Sequence, residues 1–141
     1  MQVIKKFLLI AVLFLSFSSL YAQTGNYQLS THILDINRGE PAQDVDIVLY
    51  KLSSSAPDQW IQVATGKTDK NGRIPNFLPN AGNNDNEGTY MLKFYTEPYF
   101  RKQGLKSIYP FVEVIFRVEG NGHYHIPITM SANGYSTYRG N

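Results

Sequence analysis

Apolar and polar residues alternate along this chain in short runs divided by turn-forming residues, and that period of two restricts it to strands paired in half-buried sheets. From Tyr27 to Asp35, Leu29, Thr31 and Ile33 fall on one side and Ser30, His32 and Leu34 on the other. Val45, Ile47 and Leu49 alternate with Asp46, Val48 and Tyr50. Trp60–Thr65 and Thr89–Tyr95 read as further strands. Val112, Val114, Phe116 and Val118 alternate with Glu113, Ile115, Arg117 and Glu119. In the run from His123 to Ser131, Tyr124, Ile126, Ile128 and Met130 take one face, and His123, His125, Pro127 and Thr129 take the other. Asn71-Gly72 and Asn121-Gly122 are tight-turn pairs that tolerate positive φ, and the second predicts that the strand after it folds back as a hairpin. Residues 79–88, rich in Asn and Gly, predict a mobile loop, and Glu97–Gly104 predicts one short helix. The fold class is therefore all-β: a two-sheet sandwich with one short helix.

The first residues follow a different rule. Lys5 and Lys6 precede an apolar stretch from Phe7 to Phe17, and small residues then lead to Ala22 and a polar Gln23. This layout predicts a cleavable signal peptide over residues 1–22, periplasmic or secreted export, and a single domain over 23–141. The chain has no cysteine, which excludes disulfides, thiolate catalysis and lipid attachment at a cysteine. Lys5 and Lys6 are two of the thirteen basic side chains set against eleven acidic ones. The remainder is thus balanced and argues against a nucleic-acid partner, or a membrane partner once the leader is gone. The ten tyrosines and eight phenylalanines exceed what a small core needs. Tyr50, Ile115, Tyr135 and Tyr138 in particular predict that a second subunit covers the outer face of one sheet.

There is no Gly-x-Ser-x-Gly elbow and no phosphate-cradling glycine loop. The chemistry left open is that of histidine and arginine. His123 and His125 lie two apart and share the outer face of their strand, while the face of His32 is not fixed by the pattern. These imidazoles admit three readings: hydrogen-bonded surface or interface groups, ligands of a zinc ion with one open position, or a general base for water. Arg73 and Arg139 are candidate forks for a carbonyl-rich planar substrate.

The tail Tyr135-Ser136-Thr137-Tyr138-Arg139-Gly140-Asn141 resembles the Tyr-Arg-Gly-Ser ending of the 5-hydroxyisourate hydrolases of the transthyretin-related family. Leu29–Asp35, Thr68–Arg73 and His123–Ile128 resemble, in order, the family's segments carrying its first histidine, its arginine and its second histidine. The resemblance implies a transthyretin-like sandwich in a homotetramer built as a dimer of dimers, with active sites in the channel between dimers. It implies hydrolysis of 5-hydroxyisourate to 2-oxo-4-hydroxy-4-carboxy-5-ureidoimidazoline in urate breakdown, without metal or cofactor. It places catalysis on His32, Arg73 and His125, with Tyr138, Arg139 and Asn141 beside them at the substrate. The family has Ser where this chain has Asn141, which can donate and accept hydrogen bonds but carries no hydroxyl. That departure keeps a second reading open, a non-catalytic exported module that binds a small ligand.

Overall fold

A computed structural model describes residues 26–141, so the expected leader over 1–22 lies outside the described residues. The strands are β1 (Tyr27–Asp35), β2 (Glu40–Pro41), β3 (Asp46–Leu52), β4 (Trp60–Lys67), β5 (Arg73–Pro79), β6 (Gly88–Phe94), β7 (Val112–Val118), β8 (Tyr124–His125), β9 (Ile128–Ser131) and β10 (Gly134–Thr137). The helix α1 (Thr96–Lys102) lies between β6 and β7. One sheet runs β4-β3-β6-β7, all antiparallel. The other is organised around β1. Leu29 pairs with Leu78 of β5 and also with Tyr124 of β8, so these partners flank β1 on opposite edges. β9 continues the β8 edge in parallel with β1, and β10 closes on β9.

The expected alternation is what fills the core. On β1, Leu29, Thr31 and Ile33 are fully buried, while Ser30, His32 and Leu34 are only half-buried. Ile47, Leu49, Tyr90, Leu92, Phe94, Val114 and Val118 meet them from the second sheet. Burying one such side chain is worth ~1.5–3 kcal/mol, so the core fixes which face of β1 turns outward.

Several expectations are corrected. The strand after Asn121-Gly122 does not pair back on β7. It crosses to the other sheet and lies parallel to β1, and Gly120, at φ 64°, makes the positive-φ turn. Neighbours hold that crossing: Gln28 Nε2 donates to the Gly120 carbonyl at 2.7 Å, and Glu119 N–H donates to the Tyr124 hydroxyl at 2.9 Å. Pro127, which has no N–H to offer a ladder, divides the expected His123–Ser131 strand into β8 and β9 and leaves His123 just before the first. The 79–88 loop is irregular but anchored. Asn86 Nδ2 donates to Gln28 Oε1 at 3.0 Å, and Asn84 N–H donates to Asn121 Oδ1 at 3.0 Å. The tyrosines thought surplus do not share one sheet. Tyr50 and Ile115 lie on the four-stranded sheet, whereas Tyr135 lies on β10 in the other and Tyr138 follows it.

The helix ends at Lys102 rather than Gly104, because Gly104 adopts φ 72° and its N–H turns back to Arg101 O at 3.0 Å while Leu105 N–H reaches Phe100 O. Its docking to β1 depends on Tyr99, whose hydroxyl donates to the buried Asp35 carboxylate at 2.9 Å. Burial and this hydrogen bond push the Tyr99 hydroxyl pKa up to about 12. Asp35 also accepts from the N–H groups of Asn37 and Arg38. Tyr99→Phe removes a bond to a charged acceptor, so it should cost ~1.5–3 kcal/mol, measurable as a lowered denaturant midpoint at unchanged m-value.

Candidate active site

The site grows from β1. Ser30 and His32, two apart, project from its outward face, opposite the core residues Leu29, Thr31 and Ile33. His32 is registered against Arg73 at the start of β5, and Ser30 against His125 in β8. Paired residues in neighbouring strands project to the same side, so Ser30, His32, Arg73 and His125 share one outward surface. Its rotation about β1 was left open by the sequence pattern, and the core settles it.

Arg73 is delivered by the Thr68–Arg73 turn. Asp69 Oδ1 accepts from the N–H groups of Asn71 and Arg73, at 2.8 and 3.0 Å, and Asp69 N–H donates to Arg73 O at 2.9 Å. Gly72 has φ 70°, and a Cβ there would stand 2.6 Å from Ile33 O. Only glycine lets the turn close against β1 and seat Arg73 beside His32. The Arg73 side chain is exposed, and none of the ion pairs found among the described residues involves it.

His125 is held from two sides. Its Nδ1 lies 2.8 Å from Ser30 Oγ, and the same oxygen lies 2.8 Å from Nε2 of His123. On the other side, Gly140 N–H donates to His125 O at 2.8 Å, and the chain tail passes against the imidazole. A Cβ on Gly140 would overlap Cδ2 of His125 and come within 3.2 Å of Cγ. Gly140→Ala should therefore displace the ring or the tail and depress any activity that depends on His125, while Tm holds because Gly140 lies outside the core. Calorimetry and turnover measured together check both halves.

Both site histidines resist protonation. Burial lowers the His125 pKa first, and the nearby Arg73, His32 and His123 lower it further against an opposing hydrogen bond to the Ser30 backbone. Burial and then Arg73 lower the His32 pKa, with Asp69 acting the other way. Neutral imidazoles beside a fixed cation are suited to accept a proton and to hold developing negative charge.

The remaining expected residues belong to the tail that runs past His125. The Arg139 guanidinium sits over the Tyr124 ring, 4.5 Å from its centroid. Tyr138 and Arg139 line a cleft with Ile115, Phe116 and Thr137. Asn141 is exposed beyond Gly140. Among the described residues, no three His, Cys, Asp or Glu side chains are grouped as a metal would require. Gly140 was expected beside the site as part of the tail, whereas Ser30 was not singled out from the sequence. Ser30 could have been found by its period-two spacing from His32.

The fold and this face define a transthyretin-like sandwich bearing an imidazole–guanidinium surface. Residues 29–140 match the HIUase/Transthyretin family, and the chain belongs to that family. It is 40% identical over 119 residues to a probable 5-hydroxyisourate hydrolase of Caenorhabditis elegans, covering 79% of this chain and 80% of that one. It is 37% identical to the 5-hydroxyisourate hydrolase of Mus musculus, covering 83% and 98%. Among solved structures, the Klebsiella pneumoniae 5-hydroxyisourate hydrolase superposes with a TM-score of 0.67 at 32% identity, covering 80% of this chain and 98% of that one. Transthyretin from Sparus aurata superposes with a TM-score of 0.71 at 31% identity, covering 80% and 96%.

Proposed function

We propose that this chain hydrolyses 5-hydroxyisourate. The observation that carries the reading is the convergence of His32, Arg73 and His125 on one outward face, in a chain whose relatives bear that activity in their names. Water attacks a carbonyl of the six-membered ring, and His125, with His32 beside it, takes the proton. Arg73 binds the oxygen-rich substrate and stabilises the oxyanion. The ring C–N bond then breaks, and the proton passes to the departing nitrogen. One water is added in all, giving 2-oxo-4-hydroxy-4-carboxy-5-ureidoimidazoline. The step uses no metal.

The test is the ultraviolet decay of freshly made 5-hydroxyisourate with purified residues 23–141, a chelator being present throughout. The protein should accelerate decay well beyond the spontaneous rate and do so stoichiometrically many times over. Decay at the spontaneous rate would favour the second reading, a small-ligand-binding module. That reading draws on the similarity to a sea bream transthyretin crystallised with thyroxine, at 29% identity and a TM-score of 0.72. We also infer export through the 1–22 leader and assembly as a dimer of dimers, with Tyr138, Arg139 and Asn141 completing the substrate channel. The exposed Ile115, Tyr135 and Tyr138 are surfaces such an assembly would cover. Light scattering of the purified chain should give four times its mass.

A further inference from the structure

Three hydrogen bonds in series connect His125 to the backbone at the start of β1. His125 Nδ1 meets Ser30 Oγ at 2.8 Å, Ser30 Oγ meets His123 Nε2 at 2.8 Å, and His123 Nδ1 meets the Tyr27 carbonyl at 2.9 Å. Protons can be assigned along this series from its far end. A carbonyl only accepts, so His123 carries its proton on Nδ1. With His123 neutral, its Nε2 then holds a lone pair and must receive the Ser30 hydroxyl proton. A serine hydroxyl has one proton to give, so Ser30 can only accept from His125. His125 therefore carries its proton on Nδ1 and leaves Nε2 as the bare nitrogen.

We propose that Ser30 and His123 are positioning residues that lock His125 in the tautomer whose Nε2 lone pair is free to take a proton from water. The inference rests on the hydrolytic reading for its purpose, but the tautomer itself does not. Free histidine side chains favour the opposite tautomer, with the proton on Nε2, so the lock does work that the imidazole alone would not. It also orients the ring, since Ser30 fixes one edge while Gly140 covers a flank. The other groups facing His125 are Arg73 and His32. Arg73 lies on β5, on the opposite edge of β1 from β8, and His32 on β1 itself; among the described residues neither hydrogen-bonds the His125 ring, whose Nδ1 is taken by Ser30. His123 is exposed, which suits a group that fixes a tautomer without entering the reaction.

The experiment is ring ¹⁵N NMR of histidine-labelled protein, above the ordinary histidine pKa of about 6.5, read together with steady-state kinetics. In the unaltered chain both His123 and His125 should show protonated Nδ1 and unprotonated Nε2. Ser30→Ala should move His125 toward the Nε2–H form. It should lower kcat by about 10–100-fold, the range seen when the partner orienting a metal-bound imidazole is removed, with KM and Tm nearly unchanged. Ser30→Thr, which keeps the hydroxyl and suits a strand, should restore both the spectrum and kcat. An Nε2–H tautomer for His125 in the unaltered chain overturns the proposal. So does a Ser30→Ala variant whose His125 tautomer and kcat stay put. The NMR result needs no substrate, so absence of 5-hydroxyisourate hydrolysis by the unaltered chain would remove the function while leaving the tautomer question answered.

Discussion

His125→Asn should lower kcat for 5-hydroxyisourate by about 10²–10⁴-fold, the range that a positioned general base contributes. The loss belongs to kcat because the imidazole is asked to take a proton only as water attacks. Asparagine can still hydrogen-bond Ser30 through its amide, and the backbone bond from Gly140 to His125 O does not involve the side chain. The half-buried position on an outward face adds nothing to the core, so Tm should hold. A variant that turns over at the rate of the unaltered chain would exclude His125 as the base. A loss of Tm as large as the loss of activity would make its role one of folding.

Arg73→Gln should lower kcat/KM by about 10²–10³-fold, as expected for removing a donor aimed at an oxyanion. Arg73 is exposed and outside the ion pairs found among the described residues, so its removal frees no buried partner. The substitution carries a second signature. The guanidinium helps to hold both His32 and His125 below the ordinary histidine range, so its loss should raise both pKa values. The sign is fixed: a cation nearby disfavours a second positive charge, and removing it makes the imidazoles easier to protonate. Histidine resonances should therefore titrate at higher pH in Arg73→Gln, whatever happens to turnover. Activity lost without that shift would confine Arg73 to substrate contact.

The strands with the clearest trace in the sequence are those whose burial alternates most regularly, although β4 and β6 could be read without that regularity. β1, β3 and β7 keep their apolar residues two apart, and the structure buries them so. β5 breaks the rule. Pro75 and Pro79 interrupt it, Phe77 and Leu78 are buried side by side, and its pairing with β1 carries two irregularities. β10 is short and exposed apart from Gly134, and its one large apolar residue, Tyr135, gives no alternation to read. The Asn121-Gly122 pair marked a turn correctly but misled on pairing, because a local turn does not decide which sheet receives the next strand. The free edge of β1 decided it.

The site shows the same division. His123 and His125 were assigned to an outward face from spacing alone, and both lie outward. That His32 and Arg73 are cross-strand neighbours depends on β5, which the pattern missed, and only the family resemblance had joined them. Ser30 escaped notice because an isolated serine in a strand carries no motif. Its meaning comes from two imidazoles reaching it from a segment more than ninety residues away in sequence.

In the proposed reaction a neutral imidazole, kept neutral by burial and by Arg73, activates water. The deciding measurement is the pH dependence of kcat/KM for 5-hydroxyisourate, corrected for spontaneous decay at each pH. Burial and Arg73 lower the histidine pKa values, so the neutral base persists in mild acid. The profile should fall only below about 6.5, the ordinary histidine pKa, and stay level above it. A rate that keeps rising above that value, or one that shows no acid limb at all, would rule out a neutral histidine as the base.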